Sequence, residues 1–250
     1  MSDDHMTALP STMPRILPAG DSALVVEFGN QICEALHDQV IALDDLLARE
    51  APSGVTEWVP SYRSLMVCYD PGQIRGAALT TALLALLARL RTGQQAQRLW
   101  HVPVLYGGAA GLDLAELAAL KGMTPGELTA LHASVTYRVY MIGFAPGYTY
   151  LGGLPERLHT PRLSVPRQMT PAGGISIGGA QASVGARAGP SGWRFLGRTP
   201  LRSFDPRRAE PFVFRAGDLL RFHAISEAEA ARLDARSEAG EICAECEPLA

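Results

Sequence analysis

The second half of the sequence gathers the residue types that hold small anions. Glycine-rich runs occur at Gly143-Phe144-Ala145-Pro146-Gly147-Tyr148, Pro171-Ala172-Gly173-Gly174 and Gly178-Gly179-Ala180-Gln181, and a fourth spans Gly192 to Pro200 with Arg194 and Arg198 inside it. Glycine lets the backbone approach a ligand and turn its N–H groups outward, and arginine adds a planar fork of donors for a carboxylate or phosphate. A small carboxylate-bearing ligand suits such a set. The candidate binding residues are Arg167 and Arg198; Gln181, whose amide can meet another amide or a carboxylate; Arg138 and Tyr140, which share one face of a strand; and Tyr148, placed with Tyr150 to line a cleft. The same glycines also serve as tight turns and barrel corners, and the same tyrosines as packing at a barrel mouth.

Other chemistries find less support. One literal G-x-S-x-G, Gly174-Ile175-Ser176-Ile177-Gly178, is followed by glycines and small residues rather than by the helix a nucleophile elbow requires, so Ser176 reads as one polar position in a short strand. Neither G-x-x-x-x-G-K-[ST] nor a G-x-G-x-x-G between strand and helix occurs, which leaves the chain without a recognisable ATP site of its own. Six scattered histidines without compact spacing predict no metal site. His132 reads as a helix-end residue and His223 as a packed or edge residue. Cys243 and Cys246 form a C-x-x-C in a polar tail with no second pair, which predicts thiols without a function.

The elements that must position these residues follow from the patterning of the 250-residue chain, 47% apolar and 19% charged with 25 Gly and 18 Pro, a globular composition rich in turns. Residues Ile16 to Gly29 end as a strand, and Gln31 to Arg49 repeat apolar residues at helical spacing. Two short strands, Val55 to Val59 and Leu65 to Tyr69, precede the turn at Asp70-Pro71-Gly72 and a second helix carrying Leu79, Leu83, Leu86 and Leu90. This β-α-β-β-α order, closed by a strand at about Leu99 to Leu105, predicts a small α+β domain over residues 1–98 with flexible first residues and two helices on one face of its sheet. Two short helices follow, the second announced by Thr124-Pro125 and Glu127. Beyond Ser134, many short strands punctuated by Gly and Pro predict a β-barrel or sandwich, giving a second domain over 99–226. Residues 227–250 read as a short exposed helix and a disordered tail.

Composition also limits partners. The two short helices share the outline of a helix-turn-helix, but Pro125 to His132 offers no Arg or Lys, and 22 basic against 25 acidic side chains give a net charge of −3, so no nucleic-acid partner is expected. The most apolar stretch, Thr80 to Leu90, is about half the roughly 20 residues that span a bilayer, and the N-terminus lacks the pattern of a secretion signal. No membrane partner and a cytoplasmic location are the expectation.

Several of these stretches carry a family resemblance. Tyr106-Gly107-Gly108 with Asp113-Leu114, the run from Tyr137 through Gly143-Phe144-Ala145-Pro146-Gly147-Tyr148 to Leu151, Pro171-Ala172-Gly173, Gly179-Ala180-Gln181, Gly192-Trp193, Gly197-Arg198-Thr199-Pro200 and Gly217-Asp218 together resemble the 5-oxoprolinase B-subunit family, also called allophanate hydrolase subunit 1 and Kip-type histidine kinase inhibitor. The resemblance runs from about Gly20 to Ser226. It implies an α+β fold with a small N-terminal domain followed by a cyclophilin-like β-barrel. It implies a complex in which a homologous C subunit joins this chain. With an A subunit of the lactam-utilisation type, that complex opens 5-oxoproline to L-glutamate with ATP, the nucleotide sitting at a site of the assembled complex. The lactam amide is a poor electrophile, and phosphorylation of its carbonyl oxygen would make ring opening feasible. A sensor histidine kinase as partner, or a urea-derived amide as substrate, are the alternatives the family offers. The sequence departs from the family pattern at Ala109, where an acid is usual, and over Gln181 to Ala186.

Overall fold

The computed structural model describes residues 14–93 and 97–249; the first residues, expected to be flexible, lie outside the described residues up to position 13. The chain divides into one unit spanning Met1–Gln94 and a second spanning Gln95–Ala250.

The first unit contains β1 (Arg15–Pro18), β2 (Ala23–Glu27), α1 (Glu34–Glu50), β3 (Val55–Pro60), β4 (Ser64–Tyr69) and α2 (Gly76–Leu87). The strands form an antiparallel sheet in the order β1-β2-β4-β3. Leu24 and Val26 of β2 and Leu65 and Val67 of β4 alternate onto one face, where they bury Val40, Leu43 and Leu47 of α1 and Leu79, Leu83 and Leu86 of α2. Burial of such side chains is worth about 1.5–3 kcal/mol each. The segment expected as one strand from Ile16 folds as a hairpin of two, and α1 begins three residues later than its periodicity suggests because Cys33, its N-cap, is extended at φ −148°.

The second unit opens with β5 (Gln97–Tyr106), then α3 (Leu114–Leu120), α4 (Pro125–Ala133), β6 (Tyr137–Ile142), β7 (Thr149–Gly152), β8 (Arg167–Thr170), β9 (Gly174–Gly178), β10 (Gln181–Val184), β11 (Gly189–Ser191), β12 (Arg194–Arg198), β13 (Leu219–Ala224), α5 (Glu227–Glu238) and β14 (Glu245–Leu249). Seven of its strands make a closed barrel in the order β12-β9-β10-β7-β6-β13-β5, sealed by pairing of β12 with β5. Thus the strand near Leu99 to Leu105, expected to close the first domain, is a barrel strand instead. Its partner β13 runs parallel to it from far along the chain, a pairing no local pattern announces. Inward side chains such as Val102, Val139, Leu151, Ile175, Ile177 and Val184 fill the interior. The α4 N-terminus carries the expected capping box: Thr124 Oγ1 accepts from the Glu127 N–H at 3.2 Å and Glu127 accepts from the Thr124 N–H at 2.7 Å.

The tail corrects one expectation. Residues 245–249 are not disordered but form β14, antiparallel to Gln97–His101 at an otherwise open edge of β5. Its side chains lie almost wholly in solvent, so no apolar alternation marked it in the sequence; the segment is anchored by buried Cys243, whose thiol donates to the Leu233 carbonyl at 3.3 Å. Removing residues 241–250 bares that edge, and the truncated chain is expected to self-associate more than the full chain in light scattering over a concentration series. Equal behaviour of the two would show that the edge needs no cover.

Candidate functional site

The alternation that sends Ile175 and Ile177 into the barrel sends Gly174, Ser176 and Gly178 of β9 outward. Ser183 of β10 faces outward for the same reason, between Ala182 and Val184. Register then aligns Phe195, Ser176, Ser183 and Tyr150 in one row across β12, β9, β10 and β7 on the outer face of the barrel wall. Aromatic rings cover the two glycines: a Cβ at Gly174 would collide with the Phe195 ring, and one at Gly178 would stand 2.9 Å from the Trp193 indole. The G-x-S-x-G is therefore the floor of a site. Two glycines seat the rings, and the serine between them lies at the base of the cleft, bonded to Ser183.

A cleft of about 290 Å³ opens above this floor. Ser176 and Phe195 of that floor line it, together with Phe144, Tyr148, Thr170 and Arg187. The Tyr148 hydroxyl donates to Ser183 Oγ at 2.9 Å, and Ser183 Oγ lies 2.8 Å from Ser176 Oγ. Burial pushes the Tyr148 phenol above its ordinary pKa, so its proton stays on through the neutral range. Phe144 is 72% exposed and holds φ at 68°, a conformation a bulky side chain adopts only under local constraint. Its ring stands edge-on to Tyr148 with centroids 5.6 Å apart. On the far flank of the aromatic cluster the Arg162 guanidinium lies over Trp193, 5.3 Å from the ring centre.

Of the six residues singled out from sequence, Tyr148 lines this cleft. Arg167 of β8 forks onto the Asp113 carboxylate at 2.5 and 3.0 Å; Asp113, 1% exposed, also accepts from the Phe195 N–H at 2.7 Å, which ties the β8–β11 ribbon to β12. Arg198 forks onto Asp234 of α5 at 2.8 and 2.7 Å, and that pairing, the largest influence on it, raises its pKa. Arg138 and Tyr140 are buried in β6, with the Tyr140 ring packed on Gly152. Gln181 opens β10 opposite Gly178, half-buried. Arg194 pairs with Glu116 at 3.0 Å.

The cation the sequence reading passed over is Arg187, exposed in the loop between β10 and β11. Among the described residues no carboxylate or hydrogen-bond acceptor engages it. The signal for it was present: one arginine among small residues in Gly185-Ala186-Arg187-Ala188-Gly189, a loop bounded by glycines. His132 is placed differently from a simple helix-end residue. It is fully buried, its Nδ1 is 2.8 Å from the Tyr106 hydroxyl, its ring stacks on Phe222 at 5.0 Å, and its Nε2 has no hydrogen-bond partner among the described residues. His223 lies exposed on β13.

With one unpaired guanidinium, a hydroxyl floor and aromatic walls, the cleft matches a small ligand bearing a single carboxylate. A triphosphate needs several converging donors, and this set does not fit ATP.

A family model for the carboxyltransferase domain, subdomain C and D, matches residues 14–214. The 5-oxoprolinase B subunit of Bacillus subtilis (strain 168) is 36% identical over 219 residues, covering 83% of this chain and 91% of that protein. The 5-oxoprolinase B subunit of Escherichia coli O157:H7 is 37% identical over 203 residues, covering 81% and 92% respectively. Among solved structures, TTHA0988 superposes with a TM-score of 0.74 at 33% identity over 82% of this chain, which spans 40% of that longer one. The Kluyveromyces lactis urea carboxylase shares the fold, with a TM-score of 0.78 at 18% identity over 96% of this chain and 25% of its own.

Proposed function

This chain belongs to the carboxyltransferase subdomain C and D family, alongside the 5-oxoprolinase B subunits, and from that premise we propose that it works in an ATP-dependent amidohydrolase that opens 5-oxoproline to L-glutamate. In that assembly it is the B subunit, its partners being a homologous C subunit plus an A subunit. The observation that carries this reading is the cleft on the outer barrel face. Its unpaired Arg187 offers two parallel donors to one carboxylate, and its floor offers a hydroxyl in the same cleft, a pairing that suits a compact ring with both an acid and an amide. The nucleotide is assigned to the assembled complex, since the cleft does not fit it. This chain's part is to bind the ring, orient it and keep water from its amide until the partner chains complete the site.

Co-purification with the candidate C and A partners, followed by an assay of glutamate formation from 5-oxoproline with and without ATP, tests the proposal. ATP-dependent glutamate is the expected result. An intact complex that releases no glutamate would overturn the substrate assignment in favour of another amide. Failure to form any complex would overturn the placement of this chain in such an assembly and turn attention to a histidine kinase partner.

A further inference from the structure

The hydroxyls on the cleft floor form a directed chain. Tyr148 donates to Ser183 Oγ, and burial keeps the phenol protonated. Ser183 is fully buried, its Oγ meeting only the Tyr148 and Ser176 oxygens among the described residues, so its own proton is turned to Ser176 Oγ, 2.8 Å away. Ser176 thereby accepts from within the wall. Its remaining proton faces the Tyr148 oxygen and the cleft that its side chain lines at 2% exposure, where a ligand carbonyl can draw it outward. Each donor polarises the next, which strengthens the last one. The Phe195 and Trp193 rings over Gly174 and Gly178 hold Ser176 between two apolar walls, where a hydrogen bond gains from exclusion of water.

We infer that Ser176 is the specificity-determining residue of this cleft, a hydrogen-bond donor that selects a small carboxylate carrying a carbonyl oxygen over the same ring without one. The inference rests on the proposed binding of a carboxylate at Arg187 and adds what reads the other end of the ligand. A site built to satisfy a polar atom rejects a ligand that leaves its own buried donor unpaired, so the discrimination exceeds what shape alone gives.

Calorimetric titration of the full chain with 5-oxoproline and with proline, which keeps the ring and the acid but lacks the carbonyl, reads this directly. The native chain is expected to prefer 5-oxoproline by at least about tenfold. Ser176→Ala should lower that ratio to within about twofold of unity, and Tyr148→Phe, which leaves Ser183 free to accept the Ser176 proton, should lower it partway while the circular dichroism spectrum stays native. Arg187→Ala should weaken both ligands alike. A ratio unmoved in Ser176→Ala, with Arg187→Ala still weakening both, overturns the role of Ser176 and leaves the carboxylate site standing. Titrations indifferent to Arg187→Ala, or no binding of either ligand by the native chain, overturn the carboxylate site and the inference with it.

Discussion

Asp218→Ala is expected to lower the melting temperature of the chain by about 10 °C, the equivalent of roughly 3 kcal/mol for a protein of this size. Asp218 stands one residue before β13, 5% exposed, and accepts four hydrogen bonds: from Arg98 Nε at 2.9 Å and Nη2 at 2.6 Å, from Trp100 Nε1 at 3.1 Å and from the Arg215 N–H at 2.8 Å. Its removal strands the buried Trp100 indole N–H and deprives the part-buried Arg215 N–H of its acceptor. The Arg98 side chain, 28% exposed, recovers part of its solvation from water, which keeps the cost below that of a fully buried pair. Asp218→Asn retains one oxygen without the charge and should fall between the two in thermal melts followed by circular dichroism. A shift below about 3 °C for Asp218→Ala would show that water replaces the carboxylate at little cost.

Acid sensitivity is the second large effect, and it belongs to His132. Burial lowers its pKa from 6.5 to about 3, so the folded chain holds a neutral imidazole among Tyr106, Tyr137 and Phe222. The unfolded chain takes up a proton below about pH 6.5 and the folded chain does not until about pH 3. The stability that the neutral imidazole preserves is therefore complete above about pH 6.5 and is lost as pH falls from there, by up to about 1.4 kcal/mol per unit. At about pH 5 the loss approaches roughly 2 kcal/mol. His223 is also shifted downward, by partial burial first and by His101 second, and adds to the same slope. Urea unfolding of the native chain and of His132→Gln, which keeps an acceptor for the Tyr106 hydroxyl, should differ in slope between about pH 7 and pH 5. If the variant lost stability on acidification as steeply as the native chain, His132 would not be the group responsible.

Local periodicity carried the helices well, because α1 and α2 repeat apolar residues over several turns against one sheet. Ser176 was legible as a strand position too. What it does there was not, since that depends on which rings come to cover Gly174 and Gly178, and both arrive from residues 193 to 195. Arginines show the same limit. Arg167 and Arg198 were chosen as planar donor forks for a ligand carboxylate, but each meets a carboxylate of the chain itself, 54 and 36 residues away in sequence. The loop of small residues around Arg187 is visible in the sequence, but that Arg187 meets no acid among the described residues is a property of the folded chain. His132 was legible as the end of α4, while its burial is set by rings from β5, β6 and β13.

The parallel pairing of β5 with β13 also bears on how the chain is made. Their partnered residues are separated by about 120 positions, so β5 leaves the ribosome long before the strand that flanks it exists. The first unit, whose sheet neighbours all lie close in sequence, is free to fold during synthesis. The barrel must wait. Until Leu219–Ala224 emerges, the nascent second unit carries an unsatisfied strand edge, which makes this stage slow and the one at which a holding chaperone has most to protect.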